Sequence, residues 1–422
     1  MTTCLPAECP SYTQQTIASA PQWRALAPHL QEAVQVVSHV LPFRTSAHVM
    51  DALIDWRAPA DDALFRLMLP QRDMLRTADF LRLRELVLYT KDELAIDRLA
   101  GAIRARMALQ PERRETVRLI PCLDGLQFDA GESADLHAHP EASDVLVAGG
   151  EPLSMEANAL SALIEPLLAP GLAHIQNICI DTRLVASWPQ RFVGAADADA
   201  LMRLFERVVA AGKSLAIMGH YSHAAELRHP IAQQAVRRIV GTGATLRMLG
   251  AVRRQVNEDP AGWGELWSTG VRLGAIPHAM LVERDTEAGA YFSLPLARAH
   301  DIFQRAYQMV SGLSRTVRGP SMNALPGKVV IDGVVNINGE KLFALQFLQA
   351  RNPDWVRKPF FARFDPAATW LDQLVPAFGK KKFFFEEDER EAPQALACKV
   401  IPILQPRRRP SHFASSLEVV AA

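Results

Sequence analysis

The chain has 422 residues, enough for a large core and more than one folding unit. Lys+Arg and Asp+Glu are both 46, so the net charge is zero and no field favours nucleic acid or an acidic membrane. Hydrophobic residues at 49% and charged residues at 22% fit an ordinary globular protein, with no apolar run of membrane-spanning length.

The opening MTTCLPAECPSYTQQ lacks the basic and apolar regions of a secretory signal. Five scattered cysteines, Cys4, Cys9, Cys122, Cys179 and Cys398, argue for a reducing compartment, so a cytoplasmic location is expected. Residues 1–20 read as a loose leader. Residues 21–112 read as a helical N-terminal domain, because ALAPHLQEAVQVVSHVL and FLRLRELVLYTKDELAIDRLAGAIRARMAL repeat apolar residues at helical spacing.

From Val117 the rhythm changes. Short apolar runs, VRLIPC, DVLVAGG, IQNICID, SLAIMGH, TLRMLGAV and IPHAMLVE, alternate with longer stretches, several of them helical. Six such units predict an α/β fold with a parallel sheet over residues 115–325. That repeat suits a partial (β/α)6 TIM-like barrel better than an open doubly wound sheet. Residues 326–378 hold Asp332-Gly333 and Asn338-Gly339, two hairpin signals, and read as a small antiparallel addition. Residues 379–422, with KKKFFFEEDER and QPRRRPSHF, read as an exposed tail.

Chemistry in a parallel α/β barrel gathers at the C-terminal strand ends. Here those ends carry Gly149-Gly150-Glu151-Pro152, Asp181-Thr182-Arg183, His220 with His223, Arg253-Arg254 with Asn257, and Glu283-Arg284-Asp285. Any one group also serves as an ordinary helix cap; together they predict a ligand mouth. His220 and His223 lack the further ligands a zinc site needs. No nucleophile elbow or phosphate-binding loop is present.

DVLVAGGEPL resembles the second barrel strand of the radical S-adenosylmethionine enzymes. LPFRTSAHVMDALIDW, LPQRDML, WPQRFV, GHYSHAAELRHP, NEDPAGWGELW, TVRGPSMNALPGKVVIDG and FLQARNPDW extend the likeness over roughly residues 35–380. The chain is identified by this resemblance as similar to the lysine 2,3-aminomutase-like family. The resemblance implies a barrel of radical S-adenosylmethionine type, a [4Fe–4S] cluster, and radical rearrangement of an amino acid by intramolecular amino transfer. It implies cofactor contacts at Gly149, Gly150, Glu151 and Pro152, with the turn facing the methionine amine, and Arg183 and His220 at the neighbouring strand ends are read as further cofactor contacts. It implies an amino-acid contact at Asp285, and His223, by its strand-end position, is read as a second. A small amino acid is the expected ligand; nucleic acid and membrane are not expected partners, and a homo-oligomer is.

The departures fall at the cluster. The family's C-x-x-x-C-x-x-C is missing, and RLIPCLDGLQFDAGESADLHAHPEASDVLV keeps only Cys122, the single remaining candidate ligand. The cluster loop reads as deleted, with a second shortening at MALQPERRETV. TVRGPSMNALPGKVV lacks the glycine run that carries the aminomutases' Schiff-base lysine. That puts pyridoxal phosphate in doubt and makes Lys328 a structural lysine by default. Three readings stay open: a radical aminomutase, a cluster-free relative that binds S-adenosylmethionine or an amino acid as an accessory or regulatory protein, and a non-functional truncated relative.

Overall fold

The computed structural model describes residues 11–107, 117–123, 126–127, 136–284 and 289–388. Strands β1 (Ser11–Thr13) and β2 (Arg44–Ser46) form a small antiparallel ribbon. Among the helices around it are Pro28–Val37, Thr77–Arg84 and Glu93–Arg106. Ile17, Trp23, Leu64 and Phe65 share one core; Val36, Phe80, Leu83 and Ile103 share another. The sequence reads residues up to 20 as leader, yet Ile17 and Ala20 are buried, which ties this segment to the helical region.

The remaining strands are β3 (Arg118–Leu123), β4 (Leu126–Gln127), β5 (Asp144–Ala148), β6 (Asn177–Thr182), β7 (Ser214–His220), β8 (Thr245–Val252), β9 (Ile276–Val282), β10 (Arg318–Ala324), β11 (Gly327–Ile337), β12 (Glu340–Ala350) and β13 (Pro359–Arg363). They make one sheet in the order β13-β12-β11-β10-β9-β8-β7-β6-β5-β3-β4. From β5 to β10 every neighbouring pair is parallel. The protein is therefore α/β with a large, mostly parallel sheet.

Sequential parallel strands with right-handed crossovers place their helices on one face. Burial follows that rule. Val145, Val147, Ile178, Ile180, Ile217 and Leu246 are fully buried on the helix-covered face. Asp144, Leu146, Asn177, Cys179, Asp181, Met218, His220, Arg247, Leu249 and His278 alternate with them on the other, half-buried face. The helix Ala198–Ala210 shows how the covering works. Its Leu201, Leu204, Phe205 and Val208 are fully buried, each contributing roughly 2–3 kcal/mol. Gly212 then ends it with φ 78. The helix Pro260–Arg272 begins with proline after Asp259, whose carboxylate accepts from the amides of Ala261 (3.1 Å) and Gly262 (3.2 Å). Asp259→Ala removes about 1 kcal/mol of capping.

Three expectations change. First, β3 is not a parallel unit. It pairs antiparallel with β5, Arg118 opposite Ala148 and Cys122 opposite Asp144. A parallel neighbour needs a crossover, usually a helix. Among the described residues between β3 and β5 there is only β4 and the short turn Leu136–Ala138. The sixth parallel strand is instead β10. Second, Asp332-Gly333 is not a turn: β11 runs through it with a register shift between Ile331 and Gly333. Asn338-Gly339 does close the β11–β12 hairpin, with φ 53 and 81. Third, Phe383 and Phe385 do not lie in an exposed tail. They are buried against Phe347, Trp355 and Phe360. Residues 389–422 lie outside the described residues.

Candidate functional site

The turn after β5 is built by its glycines. Gly149 has φ 91 and Gly150 φ 49, left-handed backbone that a side chain would strain. This geometry turns the chain so that Glu151 reaches the end of β6. Its Oε1 accepts from the Thr182 hydroxyl at 2.5 Å and its Oε2 from the Arg183 amide at 3.0 Å. Burial pushes the Glu151 carboxyl up, while these two hydrogen bonds pull it back. Pro152 opens a single helical turn, and Ser154 closes it on the Glu151 carbonyl, its amide at 2.9 Å and its hydroxyl at 2.7 Å.

Arg191 clamps the segment from below. Its guanidinium is wholly buried and donates to the carbonyls of Leu153 (2.8 Å) and Met155 (2.9 Å) and to both oxygens of Asp197 (2.6 and 3.1 Å). Asp197 in turn accepts from the Ala157 amide at 2.7 Å. The sequence shows Arg191 inside WPQRFV, but nothing in its spacing announces a buried clamp.

Beside Glu151, His220 at the end of β7 meets Asp181 near the end of β6, Nε2 to Oδ1 at 2.5 Å. Both side chains are about one-third exposed, at 32% and 38%. Asp181 also raises the Glu151 carboxyl. Glu151, Arg183, Asp181 and His220 therefore gather at the ends of three adjacent strands. A carboxylate has about four acceptor positions, and Glu151 uses two of them within the chain. It retains capacity for a donor such as an ammonium group.

His223 takes a local place instead. Its Nδ1 accepts from the Ala225 amide at 3.2 Å, and Asp62 of the N-terminal region is among its charged neighbours. The loop around it is held by Glu226, which is buried and accepts from the amides of Ser222 (2.7 Å) and His223 (3.0 Å). Burial pushes Glu226 up to about 7. Arg253 joins this loop to β9, reaching Glu283 at 2.5 and 2.9 Å and the Ser222 hydroxyl at 3.3 Å. Asp285 lies outside the described residues.

Cys122 is buried, and its thiol donates to the Ile120 carbonyl at 3.4 Å. Burial, with Cys179 and Asp144 nearby, pushes it up to about 12. Burial and Asp144 raise Cys179 as well. Both thiols are held in the neutral form in the metal-free chain. Among the described residues no group of three metal-binding side chains converges. The three-thiolate set of a [4Fe–4S] site does not fit these residues. Lys328 stands within the ladder of β11, opposite Asn323 on β10 and Gln349 on β12. It is not borne on a glycine-rich loop, so the lysine loop that the resemblance implies does not fit either. No helix among the described residues is long and apolar enough to cross a membrane.

No family model matches the chain. Relatives do. A protein of Aquifex aeolicus described as "Putative L-lysine 2,3-aminomutase" is 27% identical over 261 residues, 61% of this chain and 67% of that protein. L-lysine 2,3-aminomutase of Escherichia coli is 25% identical over 195 residues, 46% of this chain and 54% of the relative. A second Aquifex aeolicus protein of the same description is 26% identical over 191 residues, 45% of this chain and 49% of the relative. The chain is thus similar in sequence to lysine 2,3-aminomutases, at distant identity. It spans about half to two thirds of the length of the curated relatives it matches. Among the described residues of this chain, the strand-end group is Glu151, Asp181, Arg183 and His220.

Proposed function

We propose that this aminomutase-like chain is a cluster-free relative of the radical S-adenosylmethionine enzymes. It keeps a partial (β/α)6 barrel and binds S-adenosylmethionine or an amino acid at the strand ends, as an accessory or regulatory protein. It does not carry out the reductive cleavage and amino transfer that the resemblance implies. The observation that carries this reading is the direction of β3. With Cys122 opposite Asp144, the thiol sits at the start of β5 while the glycine turn sits at its end. Five residues of strand separate them, about 16 Å. Cys122 is therefore not beside the turn.

The Glu151 turn supports the binding half of the reading. Its backbone is exposed by two glycines, and its carboxylate is fixed by Thr182 and Arg183. A bound S-adenosylmethionine would supply a charged amine to that carboxylate. Asp285 is the proposed contact for an amino acid's distal cationic group.

Anaerobic reconstitution with iron and sulfide, followed by iron counting, tests the cluster half. The expected result is no bound iron. About four irons per chain, with the broad visible absorbance of a thiolate-bound cluster, would overturn it. Calorimetric titration with S-adenosylmethionine and with lysine tests the binding half. Saturable binding of one of them is expected, and Asp285→Ala weakens amino-acid binding at least a few-fold. Absence of both would leave the truncated, non-functional reading.

A further inference from the structure

A cavity lies where the helices Ala157–Ile164 and Ala198–Ala210 begin. Its volume is about 670 Å³, within the range of small-molecule sites. Glu156, Asn158, Trp188, Gln190 and Asp197 line it, and the rest of the lining is alanine and glycine. The walls are fixed. Asp197, the N-cap of the second helix, accepts from the first amide of the other, Ala157, at 2.7 Å, and this bond ties the two helix starts together. Gln190 is held from the N-terminal region, its Nε2 donating to His48 Nδ1 at 3.1 Å. None of Glu151, Asp181, Arg183 and His220 lines the cavity, so the site stands independently of the proposed function.

We propose that this cavity binds a small neutral molecule whose polar end is a carboxamide, or the equivalent lactam edge of a heterocycle.

Charge balance excludes the alternatives. The lining holds two carboxylates and no Lys, Arg or His. Asp197 is paired with the buried Arg191 guanidinium at 2.6 Å. Glu156 stands at the N-cap of one helix, with the start of the second beside it. Each helix start carries about half a positive charge. An incoming anion therefore meets two carboxylates. An incoming cation meets two positive helix ends, with Arg191 behind them. A neutral polar ligand meets neither cost.

Hydrogen bonding sets the polar end. Trp188 is only 7% exposed, and its indole N–H has no partner among the described residues. A buried indole N–H usually has an acceptor. The exposed side chains of Glu156 and Asn158 also make no hydrogen bond among the described residues. The indole only donates, the carboxylate only accepts, and the Asn158 amide does both. A ligand that presents a carbonyl beside an N–H answers all three. The alanines and the indole ring supply an apolar wall for its remaining atoms.

The test uses the full chain and three probes of one shape, benzamide, benzoate and benzylamine. Each is titrated at neutral pH and matched ionic strength and read by saturation-transfer NMR. Saturable benzamide binding is expected, with both charged probes about five-fold weaker or more. Trp188→Phe keeps a ring and deletes the N–H, and weakens benzamide about five-fold, the scale of one hydrogen bond. Ala200→Leu fills the cavity from a half-buried position and abolishes binding. This second variant keeps the test decisive if Trp188→Phe fails to fold. No saturable benzamide binding, or binding unchanged by Ala200→Leu, overturns the site. Full affinity in a folded Trp188→Phe, or benzoate or benzylamine binding as tightly as benzamide, overturns the ligand class.

Discussion

Cys122 stands opposite Asp144 in the antiparallel ladder between β3 and β5. This pairing turns the first strand around relative to the six parallel strands that follow. It leaves the thiol inside the sheet, donating to the Ile120 carbonyl rather than facing the strand ends. At pH 8 a thiol held near 12 is almost wholly protonated. In a time course with an aromatic disulfide reagent, native Cys122 therefore reacts more than a hundred-fold slower than after unfolding in guanidinium. Reaction at the unfolded rate would show that the thiol is accessible and ionisable.

Arg191 and Asp197 form the buried ion pair that fixes the segment after the glycine turn. Arg191→Met removes one charge and leaves Asp197 and two carbonyls without their donor. Breaking a buried pair from one side costs about 3–5 kcal/mol. A fall of that size in urea unfolding is expected, with the midpoint shifting and the slope unchanged. Arg191→Lys recovers little, because a single ammonium cannot reach the four acceptors that the planar fork serves. A loss below about 1 kcal/mol would mean the clamp is not holding the turn.

The strand positions were legible because each run is bounded by turn residues and is short. Val145 and Val147 alternate with Asp144 and Leu146 as a half-covered strand requires. Strand direction was not legible. VRLIPC has the same apolar character whichever way it runs, and only its connection to β5 decides. The three phenylalanines at 383–385 were misread for a related reason. Flanking lysines and glutamates suggest a solvated run, but the apolar surface of Phe347, Trp355 and Phe360 draws the rings inward. At the site, Glu151 and His220 were found from strand-end position. Arg191 and Glu226 were not, because burial of a charged side chain is a tertiary property that local sequence does not encode.

Glu151→Gln separates a binding role from a structural one. The amide oxygen still accepts from the Arg183 amide, and the amide nitrogen donates to a rotated Thr182 hydroxyl. Both contacts survive while the charge is lost, so stability changes by less than about 1 kcal/mol. If the turn holds the amine of S-adenosylmethionine, affinity falls about ten-fold or more, the scale of a charge-assisted hydrogen bond. Equal affinity of the two proteins in calorimetry would assign Glu151 to loop capping alone.

Glu226 gives the chain a specific pH dependence. Its carboxyl is pushed up to about 7 in the folded protein from a usual value of 4.5. Between those values the folded state holds a proton that the unfolded state has released. Stability from this group therefore falls as pH rises through that window and is level above it. At about 1.4 kcal/mol per unit the full effect is roughly 3 kcal/mol. His48 and His278, both held down to about 4, act in the opposite direction, because the unfolded state takes up their protons first. The net curve mixes these contributions, and the difference between wild type and Glu226→Gln isolates the first. The variant's amide oxygen still accepts from the Ser222 and His223 amides. Relative to wild type it gains stability steadily from pH 4.5 to 7 in urea unfolding, by about 3 kcal/mol over the window. A constant difference across that range would mean that Glu226 is ionised in the fold and that its two backbone amides, with the nearby Arg253, outweigh its burial.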